Sequence, residues 1–363
     1  MGIFDKVLAS NETLFKNEVS LSYDFIPKLL PYREAEQHQI ALAIKPLFHD
    51  MNGKNAIVYG MPGVGKTVAL KKVIQELEET TDDIIPIYVN CWQKNTTYKI
   101  FLEICEQLSF KFTQNKRTEE LFQVIKKLLN PKKTVFIFDE IDKAEDFSFM
   151  YSILEEIYKK TILCITNYKS WISSIDERIM SRLIPEQIEF KPYTLEETKG
   201  ILQERISLAY HKDVWNADAF LLAVDKTFEQ KDIRTGLYLL KESGLLAEQY
   251  SSKVISSKEV TQAINKMRDF KVKEITELQD DSQEILQLIK ENSPARIGDI
   301  YDLYGKAGGK LSYKTFQRRV FKLEESNFIK TKKHVGGSFG TTTMLYYETT
   351  TKKLDDFTSA NNI

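Results

Sequence analysis

The sequence predicts three linked architectures. The first is an α/β domain whose parallel sheet is covered by helices on both faces. An all-α domain follows, and then a winged helix-turn-helix. Three observations carry this. Short, continuously apolar strands alternate with helix-period segments over the first half of the chain. A complete phosphate-loop motif lies between one such strand and the next helix. After position 194 strand texture disappears, and it returns only as two strands around "GGSFG" near the C-terminus.

In order along the chain, Ala56–Tyr59 reads as a buried strand, followed by a glycine loop and a helix from Lys66 to Glu79. "DIIPIYVNC" is a second strand. "TYKIFLEICEQL" places Ile100, Phe101, Ile104, Cys105 and Leu108 at amphipathic helical spacing. "TEELFQVIKKLL" repeats the pattern and stops at Asn130-Pro131. "KTVFIFDEID" is an apolar strand ending in acids, "SFMYSILEEIYKK" a helix, and "TILCITN" a further buried strand. "TLEETKGILQERISLAY", "NADAFLLAVDKTF", "DIRTGLYLLKESGLLAEQY" and "SSKEVTQAINKM" read as a helical bundle. The charged stretch "RDFKVKEITELQDDS" reads as a helical connection to helices at Gln283–Lys290, Arg296–Tyr304 and Tyr313–Glu325. The expected domains are 1–194, 195–277 and 278–350, with a flexible tail at 351–363.

Bulk composition narrows the function classes. The 363-residue chain carries a formal net charge of -1, so any pull toward nucleic acid or membrane must come from a local patch. Cys91, Cys105 and Cys164 form no CxxC, and an odd count in a long chain argues for buried hydrophobes in a reducing compartment. His38, His49, His211 and His334 are too scattered for a structural zinc site. "MGIFDKVLAS" has no apolar secretory core, position 6 is Lys6 rather than Ser or Thr, and no apolar run suits a membrane helix. The expectation is a cytoplasmic protein without a membrane partner.

"GMPGVGKT", residues 60–67, meets the phosphate-loop pattern in full. Backbone N–H groups of Gly60, Pro62–Gly65 (Pro62 itself supplies none), Lys66, Thr67 and Val68 would face nucleotide phosphates, helped by the helix N-terminus. Lys66 should reach the β and γ phosphates and Thr67 should ligate Mg²⁺. In "VFIFDE", Asp139 emerges at the C-terminal end of a buried strand, where open α/β sheets bind ligands. Asp139 would hold Mg²⁺ through water, and Glu140 would orient the attacking water. Asn167 follows a buried strand and suits a γ-phosphate contact. Arg178 and Arg182 would share one helix face. Arg234 opens a helix, where the dipole disfavours a cation, so it needs either a phosphate or a nearby acid such as Asp232.

From Lys306 to Lys333 the count is nine cations against Glu324 and Glu325. In "SYKTFQRRVFKLEES", Tyr313, Phe316, Val320 and Leu323 share one face, with Lys314, Gln317, Arg318 and Lys322 on or near the other. That is the form of a recognition helix for a major groove, and Lys332, Lys333 and His334 stand at the base of a glycine-rich wing. The pattern implies double-stranded DNA contacts from Lys314, Arg318, Arg319, Lys322, Lys332, Lys333 and His334, mostly to phosphate.

This order of parts resembles the AAA+ ATPases and, within them, the archaeal Orc1/Cdc6 replication-initiator family. "DFIPKLLPYREAEQHQIA" is similar to that family's segment before the phosphate loop, and "YVNCWQKNTTYKIFLEICEQL" and "DEIDKAED" are similar to its core. Lys231 stands where the family usually has Gly. The resemblance spans roughly residues 20–350 and implies ATP/ADP with Mg²⁺. It makes Lys66 and Thr67 the Walker A pair, Asp139 and Glu140 the Walker B pair, Asn167 sensor 1 and Arg234 sensor 2. Arg182 takes the arginine-finger position with Arg178 as second choice, so self-association through Arg182 is implied. Pro31, Arg33 and Tyr193 become further nucleotide contacts. The residues Lys94–Lys99 begin the family's initiator insertion, short here and poor in cations. The resemblance implies slow ATP hydrolysis as a switch, origin DNA as ligand and an MCM-type replicative helicase as partner. Two other readings stand beside it: a regulatory AAA+ ATPase of transposition or of plasmid or viral replication, and a signalling NTPase whose winged helix binds protein.

Overall fold

The computed structural model describes residues 13–276, 280–325, 329–334 and 342–347. The expected tail at 351–363 and the wing glycines lie outside them. The chain divides into two compact units, Met1–Ile264 and Asn265–Ile363.

In the first unit, five strands form one parallel sheet in the order β2-β3-β4-β1-β5: β1 Ala56–Tyr59, β2 Ile84–Asn90, β3 Lys133–Asp139, β4 Lys160–Thr166 and β5 Glu186–Glu189. The central strands are apolar on both faces because both faces are covered. Ile57, Phe136, Phe138 and Cys164 point into one cluster, and Val58, Val135, Ile137 and Leu163 into the other. The first cluster is closed by α3 (Thr97–Gln107), α4 (Thr118–Leu129) and α5 (Ser148–Glu156), the second by α1 (Glu34–Ile44) and α2 (Lys66–Thr80). All three cysteines are buried and free, as expected for small core residues.

Two departures from the sequence reading have local causes. The helix at Ser148 stops at Glu156 instead of running to Lys160, because Asn130 takes over its end. The Asn130 amide donates to Glu156 O at 3.1 Å and its carbonyl accepts from Tyr158 N at 3.1 Å. β5 has no apolar run to announce it. It is an edge strand of sequence EQIE in which only Ile188 is buried.

After α6 (Lys169–Ile172) and α7 (Glu177–Leu183), the helices α8 (Leu195–Ala209), α9 (Ala217–Gln230), α10 (Ile233–Gln249) and α11 (Ser257–Thr276) form the helical bundle. The division between the two units falls inside α11. The N-terminal segment belongs to this bundle by packing. Phe15 and Leu21 enter its apolar cluster, and Lys16 N and Asn17 N donate to Ala209 O. Sequence order groups that segment with the sheet domain instead.

The second unit holds α12 (Asp280–Asn292), α13 (Ile297–Lys306), α14 (Tyr313–Glu325) and an antiparallel sheet of β6 (Ala295–Arg296), β8 (Thr342–Tyr347) and β7 (Ile329–His334) in that order. Its core is built on Ile285, Ile289, Ile300, Tyr304, Phe316, Val320 and Leu345. Tyr313, expected on the buried face of α14, is 41 % exposed. It lies one turn before the core begins and packs edge-on against Tyr301, 4.9 Å between ring centres.

Candidate nucleotide site and comparison with known proteins

The loop after β1 is shaped by three glycines with positive φ: Gly60 at 156°, Gly63 at 73° and Gly65 at 90°. At Gly63 and Gly65 the requirement is also spatial. A Cβ on Gly63 would collide with the Asp232 carboxylate, and one on Gly65 would stand 2.7 Å from the Tyr193 hydroxyl. The loop therefore closes against residues flanking the cleft on both sides.

Lys66 opens α2 and is buried. Its ammonium donates to Gly60 O (2.7 Å), Met61 O (2.8 Å) and Asn167 Oδ1 (2.8 Å). Burial pulls its pKa down to about 8, against the opposing pull of Asp139. Thr67 Oγ1 donates to Asp139 Oδ2 at 2.9 Å. Asp139 is itself 2 % exposed. Glu140 adopts a left-handed backbone, φ 53°. Burial raises its carboxyl above the usual range, and the neighbouring charges of Asp139 and Asp142 push the same way.

These groups line a cavity of about 410 Å³. Gly63, Gly65, Lys66, Thr67, Val68, Asp139, Glu140, Asn167, Pro31, Tyr193 and Arg234 all contribute to its wall. The helical bundle supplies Arg234 from the first turn of α10. Asp232 caps that helix, accepting from Arg234 N at 2.8 Å, and does not form an ion pair with the Arg234 guanidinium. The bundle is tied to the loop directly, since Ile233 N donates to Gly63 O at 3.3 Å.

Several sequence-selected residues stand elsewhere. Gly60, Pro62 and Val64 shape the loop without lining the cavity. Arg33 also stays behind it. Its guanidinium is 4.0 Å from the Tyr193 ring centre and donates to Val64 O (3.1 Å), Lys191 O (2.6 Å) and Glu36 (2.8 Å). A buried cation bonded in this way braces the loop and the β5 exit. Arg178 and Arg182 on α7 do not line the cavity. Arg182 pairs with Glu155 at 2.6 Å and lies over the Tyr151 ring at 4.9 Å.

In the second unit, Lys314 and Arg318 are exposed on α14, and Arg319 is half-buried. Lys332 is exposed on β7 with its ammonium 5.6 Å from the Tyr346 ring centre. The side chains of Lys322, Lys333 and His334 lie outside the described residues.

Two family models match: an AAA domain over residues 49–167 and a Cdc6 AAA+ ATPase-type lid domain over residues 199–265. The ORC1-type DNA replication protein 1 of Archaeoglobus fulgidus is 30% identical over 341 residues, covering 88% of this chain and 83% of that protein. The chain belongs to the archaeal Orc1/Cdc6 family of replication initiators. The ORC1-type DNA replication protein 1 of Sulfurisphaera tokodaii is likewise 30% identical, over 88% of this chain and 85% of that one. Among solved structures, the Aeropyrum pernix Orc1 protein in complex with DNA shares the fold with TM-score 0.74 at 23% identity, covering 93% of this chain and 94% of that chain. Cdc6p from Pyrobaculum aerophilum shares it with TM-score 0.65 at 17% identity, covering 93% and 95%. The chain is thus an AAA+ nucleotide-binding ATPase with a Cdc6-type lid, formed by α8 to α11.

Family membership does not exhaust the site. Sequence reading missed Tyr23, Asp24, Ile26, Pro27 and Leu30, which line the cavity from the N-terminal segment. It also missed Arg205 of the lid and Tyr88 and Asn90 of β2. For Tyr88 and Asn90 a signal existed. Alternation along β2 sends both to one side of the strand, and Asn90 pairs in register with Asp139.

Proposed function

We propose that the chain is an ATP-dependent replication initiator that binds origin duplex DNA and uses its nucleotide state as a switch. The observation that carries this is the convergence of Lys66, Asp139, Asn167 and the lid residue Arg234 on one cavity. A γ-phosphate there would be contacted from loop, strand ends and lid at once, so its loss would release the lid.

The oxygen donors Thr67 and Asp139 suit Mg²⁺, which takes one or two protein ligands and shares the rest with phosphates and water. Consistent with that, among the described residues no cluster of three His, Cys, Asp or Glu could hold a metal alone. Bound there, Mg²⁺ would neutralise developing phosphate charge. The protein's own groups then do the rest. Lys66 turns from its loop carbonyls to phosphate oxygens, Asn167 orients the γ-phosphate, and Glu140 accepts the proton of the attacking water. Hydrolysis is slow in the isolated chain because Arg182, the finger candidate, is held by Glu155 away from the cavity. It would act on a neighbouring subunit, which gives self-association its role.

The winged helix supplies the DNA grip through Lys314, Arg318, Arg319 and Lys332, with Lys322, Lys333 and His334 beside them in sequence. An MCM-type helicase is the proposed downstream partner, in the cytoplasm. Among the described residues, no helix is long and apolar enough to cross a membrane. The test is charge reversal at Arg318, Arg319 and Lys322, which should weaken duplex binding about a thousandfold at moderate salt while ATP binding survives. Unaltered DNA affinity would sink the initiator reading and favour a winged helix that binds protein. DNA recovered with the protein from cells should give a sharp peak at a replication start. Dispersed peaks would favour a regulatory ATPase of mobile elements.

A further inference from the structure

We infer that Tyr88 is a positioning residue for Asp139, fixing the carboxylate that the nucleotide-bound Mg²⁺ requires; this rests on the phosphate-loop reading proposed above. The Tyr88 hydroxyl donates to Asp139 Oδ2 at 2.6 Å, shorter than the 2.9 Å bond from Thr67 to the same oxygen. The other oxygen, Oδ1, accepts from Glu140 N at 2.9 Å. Three donors therefore hold one carboxylate in a single rotamer. When Thr67 turns its hydroxyl lone pairs to a metal, it leaves Oδ2, and Tyr88 becomes that oxygen's remaining protein donor among these three. Burial beside Asp139 pushes the Tyr88 phenol up, so it keeps its proton and stays a donor.

The strand is built to hold Tyr88 in place. β2 is the edge of the sheet, so its outer backbone groups have no strand partner. At Tyr88 the Gln107 side chain replaces that partner. Its amide donates to Tyr88 O at 2.6 Å and its carbonyl accepts from Tyr88 N at 3.1 Å. Glu103, one turn earlier on α3, accepts from the same Gln107 amide at 2.9 Å. On the cavity side, the Lys71 ammonium of α2 stands 5.3 Å from the centre of the Tyr88 ring. A phenol held by the edge strand, the Gln107 clamp and the phosphate-loop helix is a rigid support for Asp139. Groups that orient metal ligands in this way typically govern metal affinity more than ligand affinity.

The experiment is a Mg²⁺ titration of fluorescent ATP-analogue binding to the full chain, starting in EDTA. Tyr88→Phe should raise the Mg²⁺ concentration for half-maximal effect by about tenfold, while affinity in EDTA changes by less than about twofold. An unchanged Mg²⁺ midpoint would overturn the proposal. So would an equal loss of affinity with and without Mg²⁺, which would make Tyr88 a mere wall of the cavity. Gln107→Ala, at the protein surface, gives a second reading that does not depend on the Tyr88 variant folding. It should move the midpoint in the same direction by a smaller factor, and no movement would count against the proposal. A wild-type chain whose nucleotide affinity ignores Mg²⁺ would overturn the phosphate-loop reading itself, and the positioning role with it.

Discussion

The Lys66 ammonium and the Asn167 side chain meet at 2.8 Å, joining the loop after β1 to the end of β4. The two strands are neighbours in the sheet, with Tyr59 opposite Thr166, so the pairing register delivers both groups to one point. Asn167→Ala removes a donor aimed at the γ-phosphate and releases Lys66 from one partner. Turnover should fall about a hundredfold, with nucleotide affinity reduced far less. Equal losses in both would show that Asn167 serves binding alone.

The lowered Lys66 pKa makes nucleotide binding pH-dependent. Below about 8 the side chain is a cation, the form that phosphates favour. Above it, the free protein must take up a proton to bind. ATP affinity should therefore decline as pH rises through about 8, as measured by calorimetry in two buffers of different ionisation enthalpy. A flat profile, or no proton uptake, would contradict this assignment. Lys66→Ala should abolish binding altogether.

Glu140→Gln should retain nucleotide binding and stop hydrolysis, because the amide cannot accept the water's proton. In the wild-type chain the raised carboxyl pKa adds a second expectation. Turnover should drop as pH falls into the mildly acidic range, above the usual carboxylate range. Normal turnover by the Gln variant would refute the base assignment.

Lys231 ends α9 in the left-handed conformation, φ 54°, with an exposed side chain. A non-glycine residue there costs roughly 1 kcal/mol, and glycine removes the Cβ clash. Lys231→Gly should raise stability by about that amount in denaturant melts, with the slope unchanged. A destabilised variant would mean that the Lys231 side chain makes a contact worth more than the strain.

Much of this site was legible in the chain itself because its chemistry is local. A phosphate loop needs glycines, Lys66 and Thr67 within one turn, and a strand end needs its acids in sequence. The same holds for the lid arginine. Arg234 stands out at a helix start, and the cap on that helix is Asp232, the acid that would otherwise neutralise it. The recognition helix α14 was legible too, because a period of 3.6 writes Phe316, Val320 and Leu323 onto one side.

Other features depend on distance in sequence. Arg33 carries a charge and precedes the loop, so sequence alone assigns it to the nucleotide. Folding instead surrounds it with Val64 O, Lys191 O and Tyr193, and a cation so engaged braces the loop from behind. The N-terminal segment precedes the sheet but joins the lid, since Phe15 and Leu21 find their apolar partners there.

The sequence by itself determined the order of the domains, the phosphate loop and the acids at the end of β3, because each is fixed by periodicity or by neighbours along the chain. Only the tertiary structure decided which donors share Asp139. Thr67, Tyr88 and Glu140 come from three different places in the chain, and a carboxylate's partners are set by the register of the strands that bring them within 3 Å.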